Sequence, residues 1–249
     1  MRHTIISCEV FTRELCDAAA RSPHQVDLRF LPKGLHDIGC TGMLERLQGA
    51  VDAVDPATAD TILLGYGLCN NGIAGLTARA TPLVVPRAHD CMTLFFGSRK
   101  RYEEYFSENP GTYFLTTGWI ERGEATGELR QLSISHVNGM DMSYQELVEK
   151  YGEDNAKFLY DQLCDQTKHY RKLTFIRMGL EPNESFMETA RKRAEEKHLE
   201  FSAEEGSLRL IHELVNGPWS EEDFLVIPPG HRIVADYGQG LISAEKAPA

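Results

Sequence analysis

The chain has 249 residues, 42% hydrophobic and 25% charged, with a formal net charge of −11. This is the composition of a globular protein long enough to bury a real core. The negative balance argues against a nucleic-acid or anionic-membrane partner, and no run approaches the ~20 apolar residues that a membrane helix needs.

Six cysteines are too sparse for a disulfide scaffold. In a reducing compartment they are core residues, ligands or nucleophiles. The first residues enter a strand-like run without the length or small-residue exit of a secretion signal. Cytoplasmic location is the expectation.

In chain order, the pattern reads strand, helix, strand, helix. A strand at 3–8 is followed by a helix from Phe11 to Arg21 and a strand at 25–31. Met43, Leu44, Leu47, Val51 and Val54 then mark one stripe of a helix. A strand at 61–65 leads into Gly65-Tyr66-Gly67-Leu68-Cys69-Asn70-Asn71-Gly72, whose glycines and asparagines signal a turn of special geometry. A helix over 72–79 and a strand at 83–86 come next. Asp90 is a good N-cap for a helix beginning after it.

Further on, 99–107 reads as a charged amphipathic helix and Tyr113-Phe114-Leu115 as a short strand. Residues 121–142 are polar and weakly patterned, a loop or lid. A helix over 143–168, broken at Gly152, precedes a second alternating series: strands at 173–176, 199–201 and 224–227 and helices at 184–198 and 207–215. The tail after Gly238 reads as loosely anchored.

Strands separated by helices imply right-handed crossovers. The predicted fold is therefore α/β, a mainly parallel Rossmann-like sheet with helices on both faces. The expected division is an N-terminal lobe over 1–120 carrying the site, a connection over 121–170 and a C-terminal lobe over 171–249; one continuous domain is the alternative.

The chemistry-bearing residues fall just past strand ends. Cys8 follows the first strand, His36 the second, Cys69 the third, and His89 and Cys91 the fourth. In a parallel sheet the carboxyl ends share one edge, where ligands bind. Residues scattered over more than eighty positions are thus expected to converge. Cys8, Cys69 and Cys91 form a three-thiolate metal set, with His36 or His89 completing or flanking it.

Zinc takes four Cys or His ligands and keeps a position open when catalytic. An iron–sulfur cluster is the alternative, since thiolates are its usual ligands. Catalytic roles are expected for His89, Asp90 and His36. Gly67, Asn70 and Gly72 are expected to let the backbone approach a bound group.

Each residue also has a plain alternative. A free cysteine is commonly a small buried hydrophobe, and a histidine in a glycine-containing loop is commonly solvated. Cys69 in a turn that opens a helix would have a lowered pKa. Cys16 and Cys164 read as structural, and Cys40 as a reserve ligand. His231, Arg87 and Arg177 also follow strands, with surface or ion-pair roles as the main reading. Trp119 is either a pocket wall or core. No phosphate loop, nucleophile elbow, dinucleotide fingerprint or D-x-H-x-x-G corrinoid signature is present.

Three segments carry a family likeness: Gly65 to Gly72, Pro86-Arg87-Ala88-His89-Asp90-Cys91, and Gly111 to Trp119. The chain resembles the uncharacterised bacterial and archaeal family called domain of unknown function 1638, most densely over 5–120. The resemblance implies no settled activity. Members occur in anaerobes, some beside corrinoid-dependent methyl-transfer genes, which points toward one-carbon chemistry.

The expected function is a metal-dependent enzyme activating a thiol or other small substrate for methyl or other group transfer, with a small-molecule substrate and a corrinoid methyl-transfer protein as candidate partner. One rival is metal-free catalysis, with Cys69 as nucleophile and His89 as base. Another is a non-catalytic carrier of metal or corrinoid.

Overall fold

The computed structural model describes residues 1–69, 71–164, 169–236, 238 and 240–248. Strand β1 (Arg2–Cys8) is buried from His3 to Ser7 because it is central and parallel, covered on both faces. A single 3-10 turn over Glu9–Phe11 passes into helix α1 (Thr12–Arg21), and β2 (Gln25–Leu31) pairs with β1 in parallel. A second 3-10 segment, Lys33–Ile38, leads into α2 (Gly39–Asp52). β3 (Thr61–Gly65) pairs with the other side of β1, and β4 (Leu83–Pro86) with β3.

The strand order therefore reverses between β1 and β3. Asp90 caps α3 (Cys91–Phe96) by accepting from the Met92 amide at 3.0 Å. Ser98 caps α4 (Arg99–Glu108). β5 (Thr112–Leu115) then starts a second sheet and runs into α5 (Thr117–Arg122).

The segment expected to be a polar loop holds two short helices, α6 (Gly127–Leu132) and α7 (Ile134–Val137), and beyond it come α8 (Tyr144–Tyr151) and α9 (Glu153–Leu159). Only α8 and α9, on either side of Gly152, correspond to the helix read from the sequence. β6 (Lys172–Arg177), α10 (Ser185–Glu196), β7 (Glu200–Glu205) and α11 (Arg209–Asn216) follow. β6 joins β5 and β7 in a parallel three-stranded sheet.

β8 (Phe224–Ile227) returns to the first sheet, antiparallel to β4, giving the order β2-β1-β3-β4-β8. The central sheet is thus mainly parallel in a mixed α/β chain. The sheets cut across the boundaries read at 120 and 171: β5 pairs with β6, and β8 with β4.

Two expectations are corrected. Residues 71–75 are turns rather than helix, because Gly75 takes φ +97°, and Ile73 and Leu76 pack into the core instead of along a helical stripe. The tail is anchored: β9 (His231–Asp236) and β10 (Leu241–Lys246) form an antiparallel hairpin that buries Ile233 and Ile242.

Alternate residues of the central strands feed two cores. Ile5, Leu63 and Val84 face α1, α3 and α11, where Phe11 stacks on Phe95 at 4.5 Å between centroids. Ile6, Ile62, Leu64 and Val85 face α2 and the hairpin. Each fully buried Leu, Ile or Phe contributes roughly 1.5–3 kcal/mol. Both layers hold the carboxyl edge of the sheet rigid. No helix among the described residues is long and apolar enough to cross a membrane.

Candidate functional site

The carboxyl edge of the central sheet bounds a cavity of about 170 Å³. Cys8 leaves β1, Cys69 follows β3, and Cys91 opens α3 after β4; all three line it. His36, His89, Asp90 and Gly67 line it as well. Its other walls are mostly apolar, with Val10, Phe11, Leu35, Met43 and Trp119.

Glycines bring these loops together. A Cβ on Gly65 would lie 2.2 Å from Ser7 Oγ, so β3 can approach the end of β1 only without a side chain there. A Cβ on Gly67 would lie 2.8–2.9 Å from the Asp90 backbone. That close approach lets the chain after β3 stay paired with the chain after β4. Leu68 N–H donates to Ala88 O at 2.8 Å, and Cys69 N–H to His89 O at 3.0 Å.

Cys69 itself has φ +45°, a left-handed conformation uncommon outside glycine. Gly72 does not line the cavity; its Cβ would meet Met43 Sδ at 2.3 Å, so its bareness serves packing. Asn70 lies outside the described residues.

Each of the three sulfurs meets an N–H. The Val10 amide donates to Cys8, and the Gly67 and Cys91 amides donate to Cys69. The Trp119 indole N–H faces Cys91; no nitrogen or oxygen accepts it. As free thiols the group is held protonated. Burial pushes Cys8 up to about 12 and, with the Asp90 charge, Cys69 up to about 12. Burial and then Cys69 and Asp90 raise Cys91 further.

The lowered pKa expected for Cys69 is therefore reversed: no helix begins at Cys69, and burial outweighs its amide donors. Tyr66 is also buried; burial, then Cys8 and Cys69, raise its phenol, and its hydroxyl has no partner.

The histidines and Asp90 are differently placed. His36 Nδ1 bonds the Lys33 carbonyl and its Nε2 meets Asp37 at 2.9 Å, so both ring nitrogens are engaged. Burial lowers its pKa, but the Asp37 bond and charge and the Lys33 carbonyl outweigh that, and the net direction is up. His89 is on the rim, its side chain 70% exposed, with Nδ1 3.3 Å from Asp90. Asp90 is held by the Met92 amide and by the Tyr102 hydroxyl at 3.1 Å, which makes it a cap and an anchor.

Other candidates lie elsewhere. Arg87 donates to the carbonyls of Glu221, Phe224, Gly240 and Ile242, tying the hairpin to the sheet. Arg177 pairs with Glu184 at 2.7 Å. His231 bonds Pro229 O beside the hairpin. Cys16 and Cys40 are exposed, and Cys164 contacts Gly139 O at 3.5 Å.

Among the described residues, no three His, Cys, Asp or Glu side chains are close enough to share a single metal ion.

A family model described as "Protein of unknown function (DUF1638)" matches residues 30–215. The chain belongs to that family. No curated protein and no solved structure matches it. The DUF1638 span contains His36, Cys69, His89, Cys91 and Trp119, while Cys8 precedes it on β1. Lys33 and Tyr66 were not singled out from the sequence. Tyr66 carried a signal, a large polar aromatic between two glycines at a strand exit; Lys33 carried none beyond its place after β2.

Proposed function

We propose that Cys8, Cys69 and Cys91 hold an iron–sulfur cluster on the carboxyl edge of a Rossmann-like sheet, and that the protein is a metal-dependent enzyme acting on a small substrate. The observation that carries this reading is the set of three free cysteines around one cavity, each sulfur met by an N–H. Such donors favour thiolate over thiol and tune a cluster's sulfurs. A coordinating metal deprotonates a thiol outright, which would offset the cost of burying these three.

The absence of a single-ion ligand group among the described residues favours a cluster over zinc. A tetrahedral zinc with bonds of about 2.3 Å needs its sulfurs roughly 3.8 Å apart. These thiols surround a cavity without forming a single-ion set. A cluster, with several iron and sulfide atoms between its ligands, spans a wider gap. Zinc remains the second reading, reached by closure of the Cys69 loop.

Metal-free nucleophilic catalysis is disfavoured. The Cys69 thiol is held near pKa 12 and His89 turns toward Asp90 at the rim, not toward the sulfur.

With three cysteine ligands and both His36 nitrogens engaged, a cluster held there would leave one metal position for substrate. The chemistry supplied there is polarisation of a substrate sulfur or oxygen. The chain's own residues do the rest. Val10, Phe11, Leu35 and Met43 exclude water. Tyr66 and Trp119 offer hydrogen-bond donors inside the cavity. Asp90 fixes the first turn of α3 and with it Cys91. Methyl or other group transfer in one-carbon metabolism, with a corrinoid methyl-transfer protein as partner, is the reaction class we assign.

The test is iron, sulfide and zinc analysis with a visible absorption spectrum on anaerobically purified protein. Stoichiometric iron and sulfide, lost in Cys69→Ser, support the cluster. Zinc alone supports the second reading. No metal, with rapid alkylation of Cys69 at neutral pH, returns the nucleophile.

A further inference from the structure

We propose that Lys33 binds the carboxylate of a small, singly charged substrate in this cavity. The assignment names the substrate class of the same site and rests on the cavity being that site.

Lys33 is only 7% exposed. Its backbone is fixed: the amide donates to Glu9 Oε1 at 3.0 Å as the 3-10 segment begins. Its ammonium lies 4.7 Å from the centre of the Trp119 ring. Among the described residues no carboxylate or carbonyl pairs with that ammonium. The carboxylates close by are committed elsewhere, and the Cys8 thiol, which also feels the Lys33 charge, is held protonated in the metal-free protein. Glu9 accepts the Lys33 amide and faces Arg122 at 3.8 Å. Asp37 holds His36, and Asp90 holds Met92 and Tyr102.

One more donor lines the same cavity without an acceptor, the Tyr66 hydroxyl, 4% exposed, while the Trp119 indole N–H faces the Cys91 sulfur. Buried polar groups are nearly always paired, and a charge carried on a side chain this buried gains from a partner. A cavity with one cation and one neutral donor, and no oxygen acceptor matched to them, is built for an acceptor that arrives from outside.

The charge count points to a carboxylate. One ammonium matches one negative charge, whereas a phosphate monoester brings nearly two. A lysine also presents a point charge, without the fork with which arginine grips phosphate. The apolar walls suit a short aliphatic body behind the carboxylate, small enough to share the cavity of about 170 Å³ with the metal group.

The probes are butanoate and its neutral isostere butanamide, with dissociation constants read by ligand-observed NMR on the full chain purified without oxygen. The wild type is expected to prefer butanoate by about tenfold, the factor a desolvated charge pair of modest strength supplies. Lys33→Gln should abolish the preference, and Lys33→Arg, which keeps the charge, should retain part of it. Equal binding of the two probes, no binding of either, or a preference that survives Lys33→Gln would overturn the proposal.

Should Lys33 serve only as counter-charge to the metal–thiolate group, Lys33→Gln would lose iron while the wild type showed no preference, and the proposal fails. Iron and sulfide measured on the same samples report separately on the metal site. A wild type without metal sinks that reading, while the probe comparison still decides this one.

Discussion

The molecule has one mainly parallel and one wholly parallel sheet, each with a carboxyl edge, and among the described residues only the first edge holds a cavity of thiols. In the central sheet, β1, β3 and β4 release Cys8, Cys69 and Cys91 into one space. In the second sheet, the residues after β6 and β7 close the edge instead. Arg177 pairs with Glu184, Glu181 accepts the Met178 amide at 2.6 Å, and Arg101 reaches the Glu205 carbonyl. The edge of a parallel sheet is therefore a place where a site can form; the residues leaving the strands decide whether one does. β5 contributes to both, since its exit carries Trp119 into the cavity of the other sheet.

The largest test strikes the seam between the sheets. A Cβ on Gly118, after β5, would lie 1.9 Å from Val10 O, after β1. Backbone cannot yield as a side-chain tip does, so Gly118→Ala should cost more than about 2 kcal/mol in denaturant unfolding and displace Trp119. A fully stable Gly118→Ala would show that the two sheets are not locked at this point.

Glu14 tests the same seam through pH. It is 1% exposed on α1, with Oε2 unpartnered, and burial, with Glu181 and Glu121 adding to it, raises its pKa to about 7. The folded state thus holds its proton more tightly than the unfolded chain does. Stability from this group is full below the unfolded value near 4.5 and falls as pH rises to about 7. The loss is at most about 3 kcal/mol at pH 8. Unfolding measured from pH 4 to 8 should show this decline in the wild type and a flatter profile in Glu14→Gln.

Much of this arrangement was legible in the residues. The strands and the cap at Asp90 were readable because parallel strands are continuous apolar runs and an N-cap is a local signal. The convergence at the edge followed from what comes after each run. The rest depended on distant contacts. Nothing local in Thr112–Leu115 says that it pairs with β6 rather than extending the first sheet. Leu241-Ile242 reads as a lone apolar pair in a polar tail until β9 and Arg87 hold it. Lys33 stands in a polar loop, and its burial arises only when Trp119 packs over it. The direction of the Cys69 shift was misjudged because local donors are visible in a turn, whereas burial by other loops is not.

The smallest effect belongs to the closed edge. Arg177 is 40% and Glu184 60% exposed in their pair, so Arg177→Ala should cost less than about 1 kcal/mol and leave metal content unchanged. A loss of metal in that variant would mean that the second edge supports the site after all.

The central claim is that three cysteines act together and the others do not. Maleimide labelling with peptide mass spectrometry, before and after anaerobic reconstitution with ferrous iron and sulfide, reads this residue by residue. The account predicts that Cys8, Cys69 and Cys91, which label slowly in the metal-free protein because they are buried and protonated, become fully protected together on reconstitution, while the exposed Cys16 and Cys40 label rapidly throughout. Equal labelling of all five before and after, or protection that includes Cys16 and Cys40 in place of those three, would contradict it.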